Sequence, residues 1–383
     1  MHNSNELQSK VIDWLRFPLM VMVVMIHTSL CRNVDYSLPI TEMSVSAIVH
    51  YIFASGICFA AVPTFFFISG FLFFSGLKEN TPPSWNYYAS KYKKRFKSLL
   101  IPFVIATLTF LLCHYGLEII RALHSGGSMP SIVDILNKHG WLRIFWDNNR
   151  IAEASQAPRT NIIGMTMHSN FPMLSPMWFL RDLIVVVLLS PLVYWIVTKT
   201  KKVGLCIMGI LYVLNIWIPL EGFSALAFFF FSFGAYMRIN KLNVLDEFQK
   251  FKYPCYFIAL AALLMMLVAH SYNDLLEGIF VRTYIVAGVV SFFNIARCIV
   301  VKNKFKMPSI LSNSSFFVYL THNMYINGIV GLLVAKVLPF NNQLVFILNY
   351  FITVALTSAV CVLLYAIMQR WCPKVLSVVS GGR

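Results

Sequence analysis

The hydrophobic pattern of this chain consists of long apolar runs separated by short segments rich in charge. Each run reaches or approaches the roughly 20 residues that an α-helix needs to cross the hydrocarbon core of a bilayer. The runs cover residues 11–31, 47–74, 98–120, 176–197, 203–220, 222–237, 253–271, 279–299, 314–337 and 343–368. The pattern predicts an all-α polytopic membrane protein with about ten transmembrane helices, which form a single domain over residues 1–383.

Some of these predicted helices have irregular features. Pro63 is expected to kink the long second helix, because proline removes a helical hydrogen bond. The short runs 203–220 and 222–237 share a bend at residues 219–222, so a re-entrant pair is the alternative to two full spans. The first run lacks a small-residue cleavage site and is therefore expected to remain as helix one, not to be removed as a signal peptide.

The distribution of charge predicts the orientation. If the N-terminus is cytoplasmic, more than two thirds of the 31 Lys and Arg residues fall in inner segments, and most of the 15 acidic residues fall outside. Inner loops of membrane proteins are enriched in Lys and Arg. We therefore predict that both termini are cytoplasmic, an N-in/C-in topology. The net charge of +16 then indicates contact with anionic membrane lipid and not with nucleic acid.

Composition excludes several other classes of protein. Hydrophobic residues make up 58% of the chain and charged residues 12%, about half the charged fraction of a soluble domain. The eight cysteines show no CxxC spacing and are interpreted as small buried hydrophobes. No Walker A, HExxH, GxSxG or Rossmann motif is present. No metal site is predicted.

One predicted outer segment is unusually long. About 55 residues, 121–175, separate the third and fourth predicted helices. Loops of this length are uncommon unless they are functional or disordered. Within it, the amphipathic stretch 132–146 is predicted to form a helix at the outer interface.

Arg16 and His27 are the first candidates for chemistry. They are eleven positions apart in the first helix, which places them on one face and about 16 Å apart along the axis. Ionisable residues inside a membrane are functional by default. The alternative is that Arg16 extends to the inner headgroups and that His27 packs near the outer interface.

Further ionisable residues lie in other predicted helices. Arg181 and Asp182 begin the fourth helix at a depth close to that of His27, where Asp182 either orients the imidazole or fixes Arg181 in a local ion pair. His322, near the midplane of the ninth helix, is the second catalytic candidate. His114 and Glu118 are spaced to meet on one face of the third helix but lie near its outer end.

A dense basic run precedes the third helix. Lys94, Arg95 and Lys97 belong to it. Such a run binds phosphate groups as readily as it enforces topology, and the pattern alone favours topology.

At these residues the chain resembles the acyltransferase-3 family of bacterial integral-membrane O-acyltransferases. The resemblance runs from about Asp13 to Trp371, and its most specific mark is the Arg16–His27 spacing. Weaker similarity lies in the stretches 62–71, 94–103, 178–183, 233–236 and 315–322. One departure is that Arg95 is followed three positions later by Ser98, where the family often has a second arginine. Lys97 is a possible substitute, but its ammonium is not a bidentate group.

The resemblance implies transfer of an acyl group, most often acetyl, from cytoplasmic acetyl-CoA to a hydroxyl of an envelope glycan or lipid-linked sugar at the bacterial plasma (inner) membrane. The coenzyme A phosphates would bind Arg16, Lys94, Arg95 and Lys97. His27 would act as general base or carry the acyl group transiently. Arg181 would stabilise developing negative charge.

Two other functions compete with this hypothesis. A glycan or small-solute transporter would favour discontinuous helices at the midplane and internal repeats, and no repeat is apparent. A lipid-linked glycosyltransferase would favour acidic residues in the first outer loop, where only Asp35 and Glu42 are present.

Overall fold

The computed structural model describes residues 2–28, 38–77, 81–147, 159–167, 171–302, 306–339 and 342–382. The α-helices of this part of the chain are α1 His2–His27, α2 Val45–Tyr51, α3 Ala61–Phe73, α4 Trp85–Arg95, α5 Ile101–Ser125, α6 Ile132–His139, α7 Trp178–Leu188, α8 Ser190–Val213, α9 Ala225–Ile239, α10 Val244–Lys250, α11 Lys252–His270, α12 Asp274–Val301, α13 Ser309–Thr321, α14 Asn327–Val337, α15 Gln343–Trp371 and α16 Pro373–Val379. Two-residue strands, β1 Arg159–Thr160 and β2 Thr166–Met167, pair antiparallel. The architecture is otherwise helical, as predicted.

Six helical stretches of the described chain are long and apolar enough to cross a membrane. They are Val45–Phe73, Trp85–Ser125, Lys252–His270, Asp274–Val301, Ser309–Val337 and Gln343–Trp371. A seventh is obtained if the bent pair α7–α8 counts as one span. Each of the ten predicted runs contains a helix, including α1 and the shorter apolar α9. The protein is therefore a multi-pass membrane protein.

The stretch Val45–Phe73 is continuous but irregular. Between α2 and α3, residues Ile52–Gly56 form a π-turn and Ile57–Ala60 form a 3-10 turn. The distortion ends just before Pro63, in the first turn of α3. The position is explained by the proline ring, which crowds the carbonyl group four residues earlier.

In the region of the predicted fourth to sixth helices, the observed helix bounds differ most from the predicted ones. α7 and α8 meet at an angle of 65°, and the backbone leaves helical geometry again at Lys201 (φ 50°, ψ −132°). The helix then ends at Val213, so the prediction that it extends to residue 220 was wrong. Asn215 adopts a left-handed conformation (φ 57°), which ends a helix locally.

Helices α3 and α9 cross with their backbones in direct contact. A Cβ atom on Gly70 would overlap the Phe231 carbonyl oxygen, and one on Gly234 would overlap the Phe67 carbonyl oxygen. Small residues allow this approach between membrane helices. Fully buried rings surround the crossing: Phe66, Phe67, Phe73, Phe74, Phe230 and Phe231.

Helix α1 lies at the centre of the helical assembly and contacts α3, α12, α13 and α15. At one end the Ser312 hydroxyl donates to the Asp13 carbonyl (3.1 Å). At the other end the Asn327 amide donates to the His27 carbonyl (2.7 Å). Because both contacts join the same two parts of the chain, α1 and α13–α14 run parallel. We name the end that holds His27 the outer end, following the predicted topology.

Candidate active site

The outer end of α1 is held by side chains from three other segments. A helix leaves its last carbonyl groups without helical partners, and a buried carbonyl without a partner destabilises the fold. Here the carbonyls of Met25, His27 and Thr28 receive hydrogen bonds from the Tyr350 hydroxyl (3.0 Å), the Asn327 amide (2.7 Å) and the His50 Nε2 atom (3.1 Å), respectively. These contacts fix the backbone that carries the His27 imidazole.

Asn327 is the centre of this polar network. Its amide nitrogen donates to the His27 carbonyl. Its side-chain oxygen accepts from the hydroxyls of Thr28 (3.2 Å) and Thr357 (3.3 Å). The Asn327 side chain is buried, and its donor and acceptor groups are both used. Buried polar networks that are satisfied in this way rigidify the region around them.

The imidazole rings of His27 and His322 face each other across this site. Their centroids are 5.4 Å apart and their planes are inclined by 45°. His322 is 0% exposed. Its Nδ1 atom lies 2.9 Å from the Tyr319 carbonyl and 3.1 Å from the Val318 carbonyl. Because carbonyls only accept hydrogen bonds, Nδ1 carries the proton and Nε2 presents the lone pair.

The Nε2 atom of His322 has no hydrogen-bond partner within the described part of the protein, although it is buried. Buried polar atoms without partners are rare, and each one requires an explanation. The fixed tautomer resembles that of the histidine base in a catalytic triad, whose Nδ1–H is held by another group. His322 therefore presents a proton acceptor beside His27.

The helix that carries His322 breaks directly after it. Residues His322–Ile326 form a π-turn, in which Met324 (ψ 60°) and Tyr325 (φ 63°) are not helical. A left-handed conformation is strained for a bulky side chain. Strained residues cluster at active sites and ligand contacts. The break separates His322 from Asn327, so the two residues approach α1 from different segments.

Arg16 lies eleven residues before His27 in α1 and forms an ion pair with Asp13 (3.1 Å), and its side chain remains 41% exposed. Pro18 stands between Arg16 and His27 inside the same helix. Beside Arg16, Phe17 and Val21 line an apolar groove of about 620 Å³ together with α13 and α15.

Arg181 and Asp182 are buried, 5% and 1% exposed, at the start of α7. The Arg181 Nε atom donates to Asp182 (2.9 Å), and its Nη1 atom donates to the Trp146 carbonyl (2.6 Å) and lies 3.6 Å from Glu221. The contacts described for this pair do not include His27. The geometry corresponds to the ion-pair alternative, in which Asp182 fixes Arg181 against the outer segments.

A family model described as an acyltransferase domain matches residues 10–366 of the chain. The chain belongs to the acyltransferase-3 family. The match confirms the predicted resemblance and makes this protein an acyltransferase. It also includes every residue of the sites described above, from Arg16 to Thr357.

A curated relative supports the same assignment. The chain is 24% identical over 330 residues to the succinoglycan biosynthesis protein ExoH of Rhizobium meliloti (strain 1021). The alignment covers 84% of this chain and 79% of the relative. No solved structure matches the chain.

The predicted basic run of this acyltransferase lies where α4 leads into α5. Lys94 and Lys97 are exposed, and Arg95 is partly buried. The Lys91 ammonium lies near enough to Lys94 and Arg95 for their charges to repel one another. The described contacts do not link this group to Arg16.

A polar cleft of about 580 Å³ opens near the basic run. Its walls include Asn5 and Gln8 of α1, Tyr194 of α8, and Arg238. The Arg238 guanidinium stacks over the Phe71 ring at 5.3 Å and also lies within electrostatic range of Lys91. Sequence analysis did not single out Arg238, because a single arginine after an apolar run is the usual end of an inner helix.

Two other features of the sequence have a specific local structure in this acyltransferase. His114 contacts the Tyr325 hydroxyl (2.9 Å) and lies within electrostatic range of Glu118, whose carboxylate pairs with Arg121 (2.6 Å). The interfacial helix ends at His139 instead of 146, because Gly140 has a positive φ of 79°.

The prediction that the cysteines are buried was only partly correct. Cys58 and Cys361 are buried, but Cys113, Cys206, Cys298 and Cys372 are exposed. Apolar helices that face lipid have no need to cover a thiol, which explains the difference. Cys31 lies outside the described residues. Among the residues that the structure describes, no cluster of three metal-ligating side chains occurs.

The residues that sequence analysis missed are Asn327, Tyr350, His50 and Tyr325. Asparagine inside an apolar run was the only available indication, since polar residues in membrane helices commonly bond to neighbouring helices. The α1 carbonyls to which Asn327 and Tyr350 donate are 300 and 325 residues away along the chain, so these roles depend on the three-dimensional arrangement.

Proposed function

We propose that this protein transfers an acyl group, most simply acetyl, from cytoplasmic acyl-CoA to a hydroxyl of an envelope polysaccharide or lipid-linked glycan. It would act in the bacterial plasma (inner) membrane with both termini in the cytoplasm. The observation that carries the proposal is the pair of facing imidazoles, His27 and His322. A polysaccharide acceptor is supported by the succinoglycan biosynthesis protein to which the chain is similar.

The reaction needs a base next to the acceptor hydroxyl. In the direct route, His27 takes the hydroxyl proton while the oxygen attacks the thioester carbonyl carbon. The C–S bond then breaks, and the coenzyme A thiolate leaves and takes up a proton. His322 Nε2 is a neighbouring acceptor that would share the proton taken up by His27. Acid–base catalysis of this kind contributes about 10²- to 10⁴-fold to the rate.

In the alternative route, an imidazole nitrogen of His27 attacks the thioester first. Coenzyme A leaves, and the acyl-imidazole then transfers the acyl group to the hydroxyl. Asn327 fixes the His27 backbone, and the His27 residue is partly buried. Rapid acid quenching with labelled acetyl-CoA, in the absence of acceptor, distinguishes the routes: label retained on the protein and absent from His27→Ala indicates the acyl-enzyme.

The donor phosphates are proposed to bind at the inner surface. Arg16 is reachable because part of its side chain is exposed, and Lys94 and Lys97 are exposed as well. Arg95 adds a guanidinium that can bind phosphate through two hydrogen bonds. From this surface the pantetheine arm would extend along α1 towards His27.

Arg181 remains a candidate for stabilising developing charge, but its contacts support a positioning role more directly. The ion pair with Asp182 and the contact with Trp146 link α7 to the outer loop. Tyr319 lies within electrostatic range of Asp182 and precedes His322 by one helical turn. We propose that Arg181 and Asp182 hold the outer wall of the site.

The test uses purified protein in lipid nanodiscs. Labelled acetyl-CoA is supplied with alkali-deacylated envelope polysaccharide from the producing cells, and thiol release and polysaccharide labelling are followed together. Wild-type protein should do both, and His27→Ala should lose polysaccharide labelling by about 10²- to 10⁴-fold. His124→Ala, which removes an exposed histidine of α5, is the matched control. Normal labelling by His27→Ala, or labelling without thiol release by wild type, would contradict the proposal.

A further inference from the structure

The strained residue Tyr325 has an unusual set of contacts outside the histidine pair. Its left-handed backbone (φ 63°) turns the side chain towards α5. There its ring stacks on Phe110, with centroids 5.2 Å apart and planes inclined by only 11°. Its hydroxyl lies 2.9 Å from His114 Nδ1. In a regular helix the side chain at this position would point in another direction. The contacts of Tyr325 with Phe110 and His114 therefore depend on its left-handed conformation.

The partners of Tyr325 on α5 are also the anchor of the long outer loop. The imidazoles of His114 and His139 meet edge to face at 5.9 Å. Next to them, Leu111 forms a small apolar cluster with Ile135, Ile144 and Met173 of the loop, against which Phe110 packs. The loop is therefore fixed to the same face of α5 that holds Tyr325.

This aromatic group lies beside the proposed reaction centre. Tyr325 follows the buried His322 by three residues and precedes Asn327, which binds the His27 carbonyl. Along the chain direction of α13, it lies on the outer side of His322. The Tyr325 side chain is only partly buried, so part of its surface is available to a ligand. A second aromatic residue of the loop, Trp141, is 57% exposed.

We propose that Phe110, Tyr325 and His114 form the subsite that binds the sugar ring of the acceptor next to the reacting hydroxyl. Sugar rings have one face of C–H groups, which pack against aromatic rings, and a periphery of hydroxyls, which bond to imidazole and phenol groups. Phe110 supports Tyr325 from one side and His114 fixes its hydroxyl, so the Tyr325 ring is a rigid platform. Preorganisation of this kind lowers the cost of binding.

The inference rests on the proposed function, and the measurement separates the two. With the nanodisc assay described above, KM for deacylated polysaccharide is measured at saturating acetyl-CoA, and KM for acetyl-CoA at saturating polysaccharide. Tyr325→Leu removes the platform and should raise KM for the polysaccharide about tenfold, as expected for the loss of an aromatic contact. KM for acetyl-CoA should change less than about twofold. Tyr272→Leu, at an exposed outer tyrosine, is the matched control.

Two further variants keep the test informative if Tyr325→Leu folds poorly. Tyr325→Phe retains the ring and loses only the contact with His114, so it should raise KM for the polysaccharide about threefold. Tyr325→Gly relieves the left-handed strain but removes the stacked ring, so it should raise KM for the polysaccharide as Tyr325→Leu does, whatever its Tm. A merely structural role predicts a lower Tm with an unchanged acceptor KM, and that result overturns the subsite.

The remaining outcomes also decide the question. Equal changes in both KM values would show that Tyr325 shapes the whole site and not the acceptor subsite, which overturns the inference while the acyltransferase function stands. Absence of thiol release and transfer in wild type would remove the proposed function itself. A rise in acceptor KM alone, in Tyr325→Leu and in Phe110→Leu, supports the subsite.

Discussion

Two regions of this protein solve the same problem of packing helices in lipid in opposite ways. At the crossing of α3 and α9, Gly70 and Gly234 let the backbones touch, and buried phenylalanines fill the surroundings. At the outer end of α1, polar side chains from α14 and α15 form hydrogen bonds to the α1 backbone, and the helical conformation is interrupted at Tyr325.

The difference suggests that the crossing of α3 and α9 has a structural role and that the outer end of α1 has a role in catalysis. The crossing consists of backbone contacts and packed aromatic rings, together with the Arg238 guanidinium over the Phe71 ring, and close-packed interiors of this kind deform little. The polar region keeps an unpartnered imidazole nitrogen at His322 among the described residues, which is unfavourable for stability. A rigid crossing that adjoins a strained, polar site is the arrangement expected where local strain serves function.

The first prediction concerns the crossing of α3 and α9. Gly234→Val places a branched side chain against the Phe67 carbonyl, and overpacking of this kind forces the helices apart. We expect the yield of monodisperse protein in size-exclusion chromatography to fall by more than about tenfold. Gly116→Ala, at a helical glycine with open space around it, should leave the yield unchanged. Equal yields from Gly234→Val and Gly116→Ala would show that α3 and α9 do not cross as described.

The second prediction concerns the buried ion pair. Arg181→Leu leaves the Asp182 carboxylate buried without its partner, which should lower the free energy of unfolding by about 3–5 kcal/mol, measured by SDS titration. The double variant Arg181→Leu/Asp182→Leu removes both charges and should recover most of that loss. If the single and double variants are equally unstable, the pair is not what stabilises this wall.

The third prediction tests how far the polar network positions His27. Asn327→Leu removes the donor to the His27 carbonyl and the acceptor of the Thr357 hydroxyl, and should lower the free energy of unfolding by about 1–3 kcal/mol. We expect kcat for acyl transfer to fall about tenfold, because misplacement of a catalytic group lowers its effectiveness. Asn349→Leu, another buried asparagine, in α15 and bonded to the Leu338 carbonyl, is the control: it should affect stability without a comparable loss of kcat.

The smallest expected effect is at the basic inner surface. Lys94→Gln/Lys97→Gln removes two exposed charges, and should raise KM for acetyl-CoA about threefold at low salt, with kcat unchanged. The effect should shrink at high ionic strength, because salt screens exposed charges. Lys199→Gln/Lys202→Gln is the matched control at another exposed inner segment. An equal rise in KM for both double variants would indicate a general effect of surface charge.

The helical class and the multi-pass character could be predicted from the sequence, and the titratable candidates for the site could be selected from it. Arg16, His27 and His322 stand out because ionisable residues are rare in apolar runs. Hydropathy also located a helix within each predicted run, although the end of α8 at Val213 depended on the left-handed Asn215.

The remainder of the site could not be predicted, for physical reasons. The bond from Asn327 to His27 joins residues 300 positions apart, and its existence depends on how the helices pack. The fixed tautomer of His322 comes from two carbonyls of its own preceding turn, but the absence of any described partner for Nε2 is a property of the assembled site. The conformation of Tyr325 likewise has no sequence pattern that predicts it.

The account depends on His27 and His322 acting as one catalytic unit, and a double-mutant cycle measures this directly. Acyl transfer to deacylated polysaccharide is compared in wild type, His27→Ala, His322→Ala and the double variant, with Tm recorded for each. If the two imidazoles act together, the double variant should be about as slow as the slower single variant, because residues that act as a unit are strongly non-additive. Multiplied losses in the double variant, or a His322→Ala protein that transfers acyl groups at the wild-type rate, would contradict the account.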